Sequence, residues 1–125
     1  MRFKKVQKRN PLEPDEPRKF YATPANLGTI TLTDLANRIS RSSSLTRGDV
    51  LNVLSNFLDE IPGYLKDGKS VQLGEFGTLR LSFSSKGVDT IDEVTAHLVT
   101  KTRVLFTPST SFKNDLRLIR YEEHV

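Results

Sequence analysis

Few side chains in this sequence of 125 residues have the types and spacing that catalysis requires. Its two histidines, His97 and His124, lie in no recognisable catalytic pattern. Serines are numerous, but a serine hydrolase needs a nucleophile, a base and an orienting group. No Gly-x-Ser-x-Gly elbow presents a serine as that nucleophile. We therefore predict that the protein is not an enzyme and that it uses no cofactor and no small-molecule substrate.

Basic side chains give a stronger chemical signal, because they are unevenly distributed. The chain has 19 Lys and Arg against 15 Asp and Glu, a formal charge of +4. Residues 1–20 hold seven basic and three acidic side chains, and residues 101–120 hold five basic and one acidic. Such clusters are either solvated faces or sites for polyanions such as nucleic acid. Residues 87–97 hold three carboxylates without calcium-loop spacing, so we predict no metal site there.

The composition is that of a soluble chain large enough for one domain. Hydrophobic residues make up 36% of the sequence and charged residues 27%, as in globular proteins. No run of about 18 apolar residues is present, so we predict no membrane span. The sequence has no cysteine, which excludes disulfides, thiolate catalysis and cysteine-ligated zinc. No apolar stretch follows the basic N-terminus, so we do not expect a secretory signal.

Capping signals followed by apolar periodicity predict two helices. Thr31 and Asp34 have capping-box spacing at the start of the first helix, and Thr46 and Asp49 repeat it at the start of the second. Pro62 removes a backbone donor from the second helix, which predicts a kink or an early end. This helix also carries a wide apolar stripe, formed by Val50, Leu51, Leu54, Phe57, Leu58, Ile61 and Leu65. One short helix cannot cover so wide a stripe, and we therefore predict a homodimer.

Alternating patterns predict strands on both sides of the helix pair. Thr78–Phe83 alternates strictly, and Thr102–Phe106 is predicted as a second strand. Two short segments, Arg2–Val6 and Lys19–Ala22, flank a proline-rich loop at residues 10–17. They either pair as a hairpin or add to the edge of another sheet. The order of elements predicts an α+β fold with an antiparallel sheet.

Two segments towards the C-terminus are less regular. Residues 88–97 are compatible with either a helical turn or a loop. Ser111 is expected to cap a short last helix, whose apolar residues Phe112, Leu116 and Ile119 then face inward.

Several segments together resemble one protein family. Gly68–Leu79, which reads GKSVQLGEFGTL, resembles the stretch between the second helix and the first strands in bacterial HU and integration host factor proteins. Thr33–Leu35 resembles the start of the family's first helix, and Leu45–Asp49 its interhelical turn. Phe112–Leu116 resembles its closing helix. The resemblance covers residues 31–116 and depends on the order and spacing of these pieces.

The resemblance implies an HU-like α+β fold. In this fold a helical hairpin is followed by an antiparallel sheet with an arm and by a short C-terminal helix; here an extra N-terminal strand segment is added. The resemblance divides the chain into an extension, residues 1–30, and an HU-like dimerisation and DNA-binding domain, residues 31–125. It also implies a cytoplasmic, nucleoid-associated homodimer that binds double-stranded DNA through phosphate contacts, largely without sequence specificity. The expected DNA contacts are Arg47, Arg80, Lys86, Lys101, Arg103 and Lys113.

The sequence departs from the family at the arm. Typical members carry basic residues along the arm and a proline at its tip that wedges between base pairs. Here the corresponding residues 82–89 have serines where arginines are usual, and no proline lies between Pro62 and Pro108. Leu32 stands where the family usually has a lysine. Two hypotheses remain: a DNA-architectural protein with altered arms, or an HU-fold interaction module that has lost its bending arms.

Overall fold

The computed structural model describes residues 1–125, and the chain separates into two compact units. The first unit combines residues 1–30 with residues 117–125, and the second contains residues 31–116. The resemblance predicts a boundary after residue 30 and assigns residues 117–125 to the second domain. In the structure these last residues join the first unit because a short C-terminal strand pairs with the N-terminal one. Helices and mostly antiparallel sheets make the chain α+β, as predicted.

The first unit is a three-stranded sheet. Strands β1 (Arg2–Lys8) and β2 (Lys19–Pro24) pair antiparallel across a long loop, so of the two predicted arrangements the hairpin is the one that forms. The C-terminal strand, β6 (Glu122–Glu123), adds to the other side of β1 in parallel, so the strand order is β2-β1-β6. Two ion pairs join β6 to β1. Arg2 Nη1 lies 3.0 Å from Glu122 Oε2, and Lys5 Nζ lies 3.4 Å from Glu123 Oε1.

In the second unit, helices α1 (Leu32–Arg41) and α2 (Arg47–Lys66) pack against each other and begin at the predicted caps. The hydroxyl of Thr31 accepts from the Asp34 N–H at 3.2 Å, and the Asp34 carboxylate accepts from the Thr31 N–H at 3.0 Å. This backbone hydrogen bond, together with the side-chain bond to Thr31, lowers the pKa of Asp34, because both favour its charged form. The Thr46 hydroxyl caps α2 by accepting from the Asp49 N–H at 3.1 Å, without the reciprocal carboxylate bond seen at Thr31.

Helix α2 does not end at its proline. It continues through Pro62 to Lys66, so of the two predicted outcomes, a kink or an early end, the early end does not occur. Leu65 is buried beyond the proline, and the Asp67 N–H donates to the Gly63 carbonyl at 3.2 Å. Burial of this side chain and closure of the last turn offset the one backbone hydrogen bond that proline removes.

The sheet of the second unit has the order β3-β4-β5 and is antiparallel throughout. Its strands are β3 (Val71–Gln72), β4 (Gly77–Ser85) and β5 (Val99–Pro108). Thus both strands predicted from the alternating patterns exist, and each extends beyond its predicted bounds. The register of β4 and β5 shifts between Ser82 and Ser84, where β5 contains one additional residue.

The closing helix, α3 (Thr110–Asp115), starts earlier than predicted. Its cap is Ser109, whose hydroxyl accepts from the Phe112 N–H at 3.0 Å; the prediction that Ser111 caps it is wrong. Ser109 has the extended backbone of a cap residue, because it directly follows the end of β5. Its hydroxyl also donates to the Glu75 carbonyl, and its N–H donates to the Phe76 carbonyl at 3.1 Å. The turn before β4 therefore anchors the start of α3.

Residues 86–98 link β4 to β5 and form neither a long helix nor a strand. They contain two short 3-10 turns, Ile91–Glu93 and Ala96–Leu98. The Lys86 N–H donates to the Leu98 carbonyl at 3.0 Å, which closes the base of this segment. Both sequence interpretations were thus partly correct: the segment is a loop with helical turns. We call residues 86–98 the arm loop.

The hydrophobic core of the single chain is small. Only Ala36, Val50 and Leu65 are buried apolar side chains. Apolar side chains on the helix pair stay partly exposed, among them Leu35, Ile39, Val53, Phe57, Leu58 and Tyr64. Phe57, in the predicted stripe, is 45% exposed. None of the helices has the length and apolar character needed to cross a membrane.

Candidate nucleic-acid interface

The strand pair β4–β5 brings two of the predicted arginines onto one face. Arg80 lies opposite Leu105, and Arg103 lies opposite Ser82. Directly opposed residues of antiparallel strands point to the same face, so Arg80 and Arg103 are diagonal neighbours on it. Both are exposed. The Arg103 guanidinium donates from Nη2 to the Ser84 hydroxyl at 3.4 Å, a long hydrogen bond that leaves its other donors available.

Hydroxyl side chains occupy most of the rest of this face, and Leu105, opposite Arg80, is the apolar exception. Thr78 lies opposite Thr107, and Ser84 lies opposite Thr100. We call the surface formed by Arg80, Arg103 and these hydroxyl residues, with Ser82, the polar sheet face. Guanidinium groups and hydroxyls are among the side-chain groups that hold phosphate oxygens in protein–DNA complexes. The alternation of β4 predicted its part of this face, but the contribution of Thr100 and Thr107 was missed.

Apolar side chains cover the opposite face of the same strands. Leu79 is paired with Phe106, and Leu81 with Val104, while Phe83 follows on the same side of β4. Phe106 also belongs to an aromatic cluster with Phe76 and Phe112, whose ring centroids lie 4.9 to 6.4 Å apart. Because most apolar side chains of the two strands lie on this face, the polar sheet face is left to contact solvent or a ligand.

Lys101 occupies an unusual backbone position beside the polar sheet face. It lies in the β-bulge, where one residue separates Ser82 from Ser84 on β4 while two residues separate Thr100 from Arg103 on β5. Its φ is +51°, the left-handed region, and it is the only non-glycine residue in the chain with a positive φ. A bulge redirects the side chains that follow it, which the sequence could not reveal.

The remaining predicted contacts lie on other elements. Lys86 starts the arm loop, at the end of β4. Arg47 is the first residue of α2, and Lys113 lies on α3. Thus the structure gathers Arg80, Lys101 and Arg103 on one strand pair, with Lys86 at its end, and places Arg47 and Lys113 on separate helices. None of the six forms an ion pair within the chain.

The sequence also contains a phosphate-binding pattern that the motif search above did not find. Its structural context does not fit phosphate binding. Residues Gly63–Ser70 spell Gly-x-x-x-x-Gly-Lys-Ser, the letters of a nucleotide-binding P-loop. A P-loop joins a strand to the N-terminus of a helix, where the helix dipole favours phosphate. Here the pattern begins inside the last turns of α2 and leads to β3. Its glycines therefore lie at the negative end of a helix, which repels phosphate.

The two histidines and the possible metal ligands do not form an assembled site. His97 lies exposed in the second 3-10 turn of the arm loop, and His124 is exposed near the C-terminus. No group of three or more His, Cys, Asp or Glu side chains is placed to hold a metal ion.

The family model described as "HU domain fused to wHTH, Ig, or Glycine-rich motif" (HU-HIG) matches residues 1–123, which is almost the whole chain. The chain belongs to the HU-HIG family. The match includes both the HU-like residues 31–116 and the N-terminal hairpin, so the extension is part of the HU-HIG pattern. The resemblance to HU and integration host factor is thereby confirmed.

Individual relatives agree with this assignment. The HU-HIG chain is 30% identical over 89 residues to DNA-binding protein HU of Buchnera aphidicola subsp. Baizongia pistaciae, covering 70% of this chain and 97% of that protein. It is 38% identical over 55 residues to integration host factor subunit alpha of Haemophilus influenzae, covering 44% of this chain. That match spans only 57% of the integration host factor subunit.

Two solved structures share the fold. An HU–DNA cocrystal structure from Anabaena has a TM-score of 0.56 at 15% identity, covering 70% of the HU-HIG chain and 98% of that chain. A putative bacterial DNA-binding protein from Bacteroides vulgatus has a TM-score of 0.60 at 14% identity. It covers 97% of the HU-HIG chain, which spans 47% of that longer chain.

Proposed function

We propose that this HU-HIG protein is an architectural DNA-binding protein of the nucleoid. In this proposal, it binds duplex DNA as a homodimer, largely without sequence specificity. The observation that carries the proposal is the pair of arginines, Arg80 and Arg103, exposed without carboxylate partners on the polar sheet face of an HU fold. The relatives named DNA-binding protein HU and the fold shared with an HU–DNA complex support it.

The chemistry of the polar sheet face favours phosphate over base edges. Guanidinium groups bind phosphate oxygens, and the neighbouring hydroxyls can donate to the same backbone. Such contacts position a duplex but carry no information about its sequence. Because only six candidate cations replace the more basic set of typical family members, we expect a weaker affinity than those members have, which is therefore lost at a lower salt concentration.

The homodimer is proposed from the apolar surface that the single chain leaves exposed. Val53, Phe57 and Tyr64 recur at helical spacing along α2 and are each close to half-exposed or more. The apolar face of β4–β5 adds Phe83 and Val104, which are 58% and 60% exposed. A second copy of the chain would bury both surfaces and complete the core that one chain lacks.

One observation favours the second hypothesis, an interaction module without bending arms. The arm loop carries Asp89, Asp92 and Glu93, and its most exposed apolar residue, Ile91, stands between two of these acids. Carboxylates at this place repel phosphates, so the arm loop is poorly suited to grip the minor groove. We therefore propose that the duplex contacts the sheet and that the arm loop contributes little bending.

The double variant R80Q/R103Q tests the polar sheet face. We expect it to weaken binding equally on duplexes of unrelated sequence. In a log–log salt titration, the slope should become shallower by about 0.9 for each phosphate that the variant no longer neutralises. Fluorescence anisotropy with a labelled duplex measures both quantities.

The matched control is R38Q/R41Q, which removes the same charge from the last turn of α1. It should leave the slope nearly unchanged. An equal decrease of the slope in the control would show that net charge, rather than the polar sheet face, determines binding. A weakening confined to one duplex sequence would indicate base readout instead of phosphate contacts.

A further inference from the structure

The N-terminal hairpin carries a second basic surface, which the HU-like unit does not explain. In the β1–β2 register, Lys4 lies opposite Thr23, Val6 opposite Tyr21, and Lys8 opposite Lys19. Alternate residues of a strand share a face, and opposed residues share it too. Lys4, Lys8, Lys19 and Tyr21 therefore lie on one face of the hairpin. We call it the lysine face.

No carboxylate neutralises these lysines. The two ion pairs of the chain use Arg2 and Lys5, and both attach β6 to β1. The loop between β1 and β2 contains Glu13, Asp15 and Glu16, but none of them forms an ion pair with the lysine face. Lys8 and Lys19, directly opposed, repel each other across the hairpin. An anionic ligand would relieve this repulsion.

The geometry of the lysine face fits an extended row of phosphates. Four residues of a strand span about 13 Å, so Lys4 and Lys8 are separated by roughly four base-pair steps of B-form DNA. Tyr21 is 45% exposed between Lys19 and Thr23, and it adds a hydroxyl donor to the row. Val6 lies between Lys4 and Lys8 on the lysine face, whereas the aromatic side chains of Phe3 and Phe20 lie on the opposite face. The cations therefore do not share their face with the phenylalanines that would favour insertion into a lipid bilayer.

We infer that the lysine face is a second contact for the duplex backbone, provided by the N-terminal extension. This inference rests on the proposed function. It adds three phosphate-binding lysines per chain to the cations of the polar sheet face. The extension thereby supplies part of the positive charge that the serine-rich arm segment lacks.

The triple variant K4Q/K8Q/K19Q tests the inference in the full chain. In a log–log salt titration between about 50 and 200 mM, the slope should become shallower by about 0.9 for each of the three lysines that contacts a phosphate. The matched control R38Q/R41Q/K66Q removes the same charge from the C-terminal turns of α1 and α2. Melting curves establish that both variants remain folded.

The outcomes separate the two proposals. If the wild type binds in a salt-sensitive way and the triple variant and its control have equal slopes, the inference about the lysine face is wrong. The proposed function is then unaffected. Absence of wild-type binding overturns both. A shallower slope in the triple variant alone supports the inference.

A footprint on the wild-type protein gives an answer even if the triple variant unfolds. Acetylation of lysines, followed by mass spectrometry, should show that a duplex protects Lys4, Lys8 and Lys19 but leaves Lys66 reactive. Equal reactivity with and without DNA overturns the inference. Protection by phosphatidylserine-rich vesicles but not by DNA also overturns it, because the surface would then belong to a membrane contact.

Discussion

Replacing Phe57 with alanine is expected to lower the free energy of unfolding by about 3–5 kcal/mol, the range for truncating a buried phenylalanine. In the single chain Phe57 is 45% exposed, so an isolated monomer would be destabilised far less. The large effect is expected because, in the proposed homodimer, a second copy of the chain covers the stripe on α2. Chemical denaturation measures the stability, and sedimentation at micromolar concentration measures the oligomeric state of wild type and variant.

A suitable control for Phe57→Ala is Leu12→Ala, which truncates an apolar residue that is 89% exposed in the β1–β2 loop. Surface changes of this kind usually alter stability by no more than about 0.5 kcal/mol. The wild type should sediment as a dimer, and Phe57→Ala should shift it towards monomer. A stable wild-type monomer, or a denaturation midpoint unchanged by Phe57→Ala, would contradict the shared core.

The second large effect is expected at Gly77. A Cβ at this position would lie 2.5 Å from the Thr107 carbonyl oxygen and 2.5 Å from Cε2 of Phe106, well inside any normal contact distance. The Thr107 carbonyl belongs to the backbone of β5, which pairs with β4, so this clash is relieved only if the strand pairing shifts. We expect Gly77→Ala to destabilise the protein by about 3 kcal/mol, the upper part of the usual range for overpacking.

Gly63→Ala is a control for which we expect the opposite result. Gly63 lies inside α2, and a Cβ there would have no neighbour within 4 Å. Alanine stabilises a helix interior relative to glycine by roughly 0.5–1 kcal/mol. Thermal melts of the two variants should therefore move in opposite directions. Equal melting temperatures would show that Phe106 and β5 yield easily at Gly77.

Local signals in the sequence predicted much of the fold. Thr31 and Thr46 identify helix starts because capping depends on residues only three positions apart. The alternation of Thr78–Phe83 predicts β4 and its two faces, since strand periodicity is also local. These elements include the strand that carries Arg80. The family resemblance then supplied the order in which the elements assemble.

Features that depend on distant partners could not be predicted in this way. The pairing of β6 with β1 joins the two ends of the chain, and no local sequence pattern predicts it. The bulge at Lys101 depends on the register between β4 and β5. Ser109 was missed as a cap because its position depends on where β5 ends. Likewise, the like-charged pair Lys8 and Lys19 appears only once the hairpin register is known.

We propose that unpaired cations on an HU-HIG scaffold bind the phosphate backbone of duplex DNA. The most direct test measures the affinity of the wild-type protein for one A·T-rich and one G·C-rich duplex between about 50 and 200 mM salt. We predict similar affinities for the two duplexes and a steep fall in affinity as salt rises. No binding at the lowest salt, or an affinity that salt leaves unchanged, would contradict the claim.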